Sequence, residues 1–99
     1  MIFMIAIRVH SNRDTRLLAA CDEELLGQTF RENGMRITVS DAFYNAEIVS
    51  EEVLIERMRS VTIMNLVGEK TVSVAIKEGY VSEDCIIVID GVKHAQVVR

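Results

Sequence analysis

The stretch Thr62 to Val81, TIMNLVGEKTVSVAIKEGYV, constrains the fold more than any other part of the chain. An apolar, β-branched run leads into the lone Gly68. Val72, Ala75 and Ile76 then recur at helical spacing, and Gly79 supplies a left-handed helix stop with Tyr80 placed to fold back on the last turn. A further apolar run, Ile86 to Ile89, follows and reads as a buried strand. Strand, helix and strand in this order form a βαβ crossover, which requires a sheet to cross. The expectation is an α+β fold: a single mixed β-sheet with helices packed on it, N-terminal and C-terminal β-hairpins, and one βαβ crossover. A chain of 99 residues is read as one domain, 1–99.

The hairpins come from turn chemistry. Ile2 to His10 is nearly continuous in apolar residues, Ser11-Asn12-Arg13-Asp14 turns the chain, and Thr15 to Cys21 is the return strand. At the other end, Asp90-Gly91 between Ile86–Ile89 and Val92–Val98 is a type I′ hairpin signal. That register places Ile87 opposite His94 and puts His94 and Gln96 on one face of the last strand. His94 then either reaches a buried polar partner or opens to solvent at the sheet end, and Asp22 and Asn65, both at strand ends, are the expected partners.

The middle of the chain admits two readings. Asp22 followed by Glu23 and Glu24, with Leu25, Leu26 and Phe30 beyond, predicts an acid-capped helix stopped at Asn33-Gly34. The rival is a hairpin turning at Asn33-Gly34 between Gln28–Glu32 and Met35–Val39. The helix is preferred, because it gives Leu25, Leu26 and Phe30 a shared face. Met35, Ile37 and Val39 alternate as a half-buried strand, Ser40 to Asn45 is a turn anchored by Phe43 and Tyr44, and Ser50 caps a helix whose core stripe is Leu54, Met58 and Val61. Residues 61–67 read as strand, with a continued helix as the alternative.

Composition narrows the function classes. The net charge is −4 and the pI near 5.1, so binding of DNA by bulk charge is not expected. Acids exceed bases mainly in residues 37–60, which leaves room for a local basic patch. Arg31, Arg36 and Tyr44 are the residues for such a patch. The opening MIFMIAI lacks a basic leader and is too short for a membrane span, so no membrane association is expected. Two distant cysteines, Cys21 and Cys85, match no metal or redox spacing and point to a reducing, cytoplasmic setting. With only His10 and His94 as histidines, no metal site is expected.

The residues able to carry chemistry lie at strand ends. Gly68 lets backbone amides approach an anion, with Lys70 nearby and Glu69 opposing; the plainer reading is a glycine that turns the chain tightly. Cys21 beside three acids should be an unreactive thiol, so a Cys21–His94 nucleophile pair is disfavoured. Asp22, Asn65, Gly68, Glu69, His94 and Gln96 form the candidate binding set.

The segments CDEELLGQTF (21–30), NLVGE (65–69), EGYV (78–81) and GVKHAQVVR (91–99), taken together, resemble a small archaeal family known as domain of unknown function four hundred and twenty-four. Its recurring positions map onto Cys21, Asp22, Leu26, Gly27, Asn65, Gly68, Glu69, His94 and Gln96, whereas Ile2 to His10 is more apolar than the family pattern. The resemblance implies a small intracellular protein with no assigned catalytic residues or cofactor. Its genes lie near translation genes, which implies an accessory role there. The leading expectation is a non-enzymatic module that binds a protein or ribonucleoprotein partner. The alternative is a small enzyme or anion binder using Asp22, Asn65, Glu69 and His94.

Overall fold

The computed structural model describes residues 4–99, so the Ile2 and Phe3 part of the expected first strand lies outside the described residues. The elements are β1 (Ile5–Ser11), β2 (Arg16–Asp22), β3 (Thr29–Glu32), β4 (Met35–Thr38), α1 (Asp41–Tyr44), β5 (Glu47–Val49), α2 (Glu51–Met58), β6 (Ile63–Val67), α3 (Glu69–Lys77), β7 (Ile87–Ile89) and β8 (Val92–Val98). Six strands form one mixed sheet in the order β5-β1-β2-β6-β8-β7, and β3-β4 is a separate two-stranded hairpin. The fold is α+β, with the expected hairpins at both ends.

β2 and β6 run parallel, while β1–β2, β6–β8 and β7–β8 are antiparallel. β7 is therefore parallel to β6, and β6–α3–β7 is the expected crossover, with β8 inserted between its two strands. The Asp90-Gly91 turn has the positive φ values of a type I′ loop, 52° and 77°, and Ile87 does stand opposite His94. Ile86–Ile89 is not a buried strand, however. β7 is the sheet edge, and Ile87 and Val88 are 49% and 48% exposed.

α2 and α3 cover one face of the sheet, where Ile5, Ile7, Leu18, Ala20, Met64, Leu66, Ala95 and Val97 meet Leu54, Met58, Val72 and Ala75. The Ser50 hydroxyl caps α2 by accepting from Val53 N. α3 ends as Gly79 predicts: Tyr80 N–H reaches Ala75 O at 2.9 Å and Gly79 N–H reaches Ile76 O at 3.0 Å, a Schellman pair. Val74 joins Val72 and Ala75 inside, and Ile76 is only half-buried. Residues 63–67 are strand, which settles that boundary against a continued helix.

The helix expected after Asp22 is not formed. A short 3-10 turn (Glu23–Leu25) takes its place, and the Asp22 side chain makes no cap to it. The rival hairpin is correct: Asn33 and Gly34 adopt φ of 50° and 82° and pair Glu32 with Met35. Leu25, Leu26 and Phe30 still share an environment, because they pack on the second face of the sheet around Ala6, Ala19, Cys21, Val39, Tyr44 and Val67. The shared apolar environment comes from a sheet face on which the 3-10 turn and the hairpin both lie, and not from a helical stripe.

The Asp22 carboxylate is spent on a different helix. It sits 3% exposed at the end of β2, and Oδ2 accepts from Lys70 N (3.1 Å) while Oδ1 accepts from Thr71 N and Thr71 Oγ1 (both 2.8 Å). It therefore caps α3 from 48 residues away in sequence. Gly68 makes room for it. A Cβ there would stand 2.4 Å from Asp22 Cγ, and the backbone has φ +111°. The less favoured reading of Gly68, an anion site, is thus answered by the protein's own carboxylate, which takes the donors and the space an external anion would need. Gly68→Ala should lose about 3–4 kcal/mol, combining glycine-only backbone strain with a displaced cap. Denaturant unfolding checks this, and a loss within about 1 kcal/mol would contradict it.

Candidate functional site

The second sheet face follows from register. Alternation places Ala6, Arg8 and His10 on it from β1, Leu17, Ala19 and Cys21 from β2, Ile63, Asn65 and Val67 from β6, and His94, Gln96 and Val98 from β8. These form three transverse rows. Ala6, Cys21, Val67 and His94 make one; Arg8, Ala19, Asn65 and Gln96 the next; His10, Leu17, Ile63 and Val98 the last. β3-β4, Val39 and α1 cover Ala6, Cys21 and Val67 of the first row and Ala19 of the second.

At the uncovered margin Asn65 Oδ1 accepts two hydrogen bonds, from Tyr44 Oη at 3.0 Å and from His94 Nε2 at 3.1 Å. His94 thus finds Asn65 and not Asp22, because Asp22 faces α3. The contact assigns His94 as the tautomer protonated at Nε2. Nδ1 is then an acceptor, and since no buried side-chain polar atom lacks a partner among the described residues, it is open to solvent together with Asn65 Nδ2. Burial lowers the His94 pKa from its ordinary value of 6.5 and raises that of Tyr44 to about 12, the nearby Cys21 adding to the latter. Near pH 7 the cluster is neutral. It is a hydrogen-bonding surface and not a charged one.

A family model described as "Protein of unknown function (DUF424)" matches residues 10–99. The chain belongs to this family. A crystal structure described as an uncharacterized conserved protein from Methanopyrus kandleri is similar at TM-score 0.81 and 29% identity, covering 97% of this chain and 94% of that one. No curated protein matches.

Within this DUF424 chain the candidate set divides. Asp22 and Gly68 form the buried lock under α3. Glu69 points away from it, exposed, in an ion pair with Lys93 at 3.1 Å. Asn65, His94 and Gln96 share the second sheet face. The expected patch of Arg31, Arg36 and Tyr44 also separates: Tyr44 is buried with its hydroxyl on Asn65, while both arginines lie on the exposed hairpin. Sequence reasoning missed His10, whose ring stacks on Phe43 at 4.6 Å and whose Nε2–H donates to Phe43 O at 2.8 Å. It also missed Arg8, although the strict alternation of Ala6, Arg8 and His10 carries the signal.

Among the described residues no group of His, Cys, Asp and Glu is arranged to hold a metal ion, and no helix is long and apolar enough to cross a membrane. Cys21 is fully buried, and burial, reinforced by the Asp22 and Glu24 charges, pushes its thiol up to about 12. Cys85 is exposed. A thiol reagent at neutral pH should therefore label one equivalent rapidly, at Cys85, and Cys21 only on unfolding. Rapid labelling of Cys21 in a Cys85→Ser variant would contradict the geometry.

His94 also sets a pH dependence. Its folded pKa lies below the unfolded one, so the unfolded chain binds the proton first as pH falls. Stability contributed by neutral His94 is complete above pH about 6.5 and is lost on acidification until the folded pKa is passed. The melting temperature should fall between pH 7.5 and 5, and by less in His94→Gln. Equal falls in both proteins would remove His94 as the cause.

Proposed function

We propose that the chain is a non-enzymatic binding module that docks on a ribonucleoprotein partner through exposed arginines. The supporting observation is the pairing of Arg31 directly opposite Arg36 on the β3-β4 hairpin. Phe30 and Ile37 form the neighbouring pair and pack inward, so Arg31 and Arg36 share the outward face with Thr29 and Thr38. All four are exposed, and the two threonine hydroxyls lie 3.2 Å apart. Like charges directly opposed across a hairpin are destabilising. The hairpin's one acid, Glu32, is turned to the other face, where its carboxylate accepts the backbone N–H of Asp90. No ion pair among the described residues neutralises the two arginines.

Lys70, Lys77 and Lys93 are each ion-paired, to Glu24, Glu51 and Glu69, whereas Arg31 and Arg36 have no ion pair among the described residues. Two guanidinium forks beside two hydroxyls suit phosphate oxygens, which accept such donors in bidentate fashion. In a chain of net charge −4, attraction to RNA has to be local and short-ranged. A cytoplasmic setting and an accessory role in translation, which cysteine usage and the family resemblance imply, fit such a partner. The enzyme reading is less well supported, because Asp22 and Glu69 do not converge on Asn65 and His94.

Arg31→Glu and Arg36→Glu should leave the melting temperature unchanged or slightly raised and weaken retention on a ribonucleoprotein fraction about tenfold or more. Wild-type retention should be lost after nuclease treatment and should decline with salt, with a log–log slope of about −1.4 for two single-strand phosphate contacts. Retention unaffected by either substitution and by nuclease would overturn the proposal.

A further inference from the structure

Beyond the hairpin, the open part of the second sheet face has the composition of a site for a planar heterocycle. A cavity of about 290 Å³ opens at its rim, lined by His10, Ser11, Asn12, Thr15, Leu17 and Ile63. Its floor is apolar: Leu17 and Ile63 are half-buried neighbours in register, and Val98, next in the same row, is 80% exposed. One wall is the His10 ring, held rigidly by its stack on Phe43 and its bond to Phe43 O. The turn beneath is also braced, since Asn12 Oδ1 accepts from Thr15 Oγ1 at 3.0 Å and from Asp14 N at 3.3 Å.

Two residues along each strand, about 6–7 Å away, lies the row of Arg8, Ala19, Asn65 and Gln96. Arg8 is exposed, without an ion pair among the described residues, and Gln96 is an exposed amide directly opposite Asn65. Asn65 has its carbonyl oxygen committed to Tyr44 and His94, which leaves its amide donors outward. An apolar floor with an aromatic wall, bordered by neutral amides and one guanidinium, matches the π-face and the hydrogen-bonding edge of a nucleobase.

We propose that this face binds an unpaired nucleobase of single-stranded RNA, the ring lying over Leu17 and Ile63 beside His10 and its edge meeting Asn65, Gln96 and Arg8. The proposal rests on the ribonucleoprotein reading and adds the site at which bases, as distinct from phosphates, are met. A base is set above a peptide side chain because the bordering groups are amides and Arg8, with no acid in either row.

The test compares a fluorescently labelled octauridylate with an abasic ribose-phosphate oligomer of the same length and charge. Wild-type protein should bind the base-bearing oligomer about tenfold or more tightly than the abasic one, as expected for stacking of a base. Leu17→Gln with Ile63→Thr should erase that difference and leave abasic binding unchanged. Arg8→Ala and Gln96→Ala, at exposed positions that keep the fold, should each reduce the preference, and the Leu17 and Ile63 methyl resonances should shift on titration. Equal wild-type affinity for the two oligomers overturns the base site and leaves the arginine hairpin standing. Shifts confined to β3-β4 do the same, and failure to bind either oligomer overturns both readings.

Discussion

The placement of Asp22 under the N-terminus of α3 is the interaction on which the rest of the structure depends. A carboxylate 3% exposed is tolerable only with strong compensation. Here three donors surround it and the positive end of the helix adds to them. The contact joins the end of β2 to the start of α3, one residue beyond the Cys21–Val67 pair that closes the parallel β2–β6 ladder. Gly68 completes the arrangement: its N–H bonds Lys93 O at 2.8 Å while its missing side chain admits the carboxylate. Strand order, helix entry and the β6–β8 register thus meet at one point, and Lys70 to Glu24 adds an ion pair at the rim.

With that joint in place, the two faces of the sheet divide their work. α2 and α3 seal one face with aliphatic side chains, which supplies most of the burial. The second face is closed only in part, by α1 and the β3-β4 hairpin. Its seal includes the Tyr44–Asn65–His94 hydrogen bonds, so it combines packing with polar groups that reach the open margin. A face covered over part of its area leaves a rim where apolar and hydrogen-bonding side chains stand side by side, and such rims are where sheets meet ligands.

Charge is distributed unevenly on this frame. The exposed ion pairs, Arg57–Glu47 at 2.6 Å and the three lysine pairs, tie neighbouring elements and contribute little stability each. Arg99 is used internally, donating to Met58 O and Val61 O and lying 5.0 Å from the Tyr80 ring centroid. Arg31 and Arg36 take no part in either pattern; what distinguishes them is their direct cross-strand pairing on one exposed face of the hairpin.

Local chemistry was legible in the residues themselves. Asp90-Gly91, Gly79-Tyr80 and Ser50 each dictate a backbone geometry within a few positions, so the C-terminal hairpin, the end of α3 and the start of α2 follow from sequence. Alternation likewise placed His94 and Gln96 on one face, and residues 10–99 carry the family identity. Partnership across long separations was decided by the tertiary structure. Asp22 has the same local signature whether it caps Glu23 or a helix 48 residues on, and only the parallel pairing of β2 with β6 brings the second within reach. Leu25, Leu26 and Phe30 suit a helical stripe and a turn-plus-hairpin lying on a sheet alike, because either gives the three side chains one apolar surface to pack on. Tyr44 became the partner of Asn65, leaving the arginines it had been grouped with, since burial of a phenol demands a hydrogen-bond acceptor and the assembled sheet supplied one.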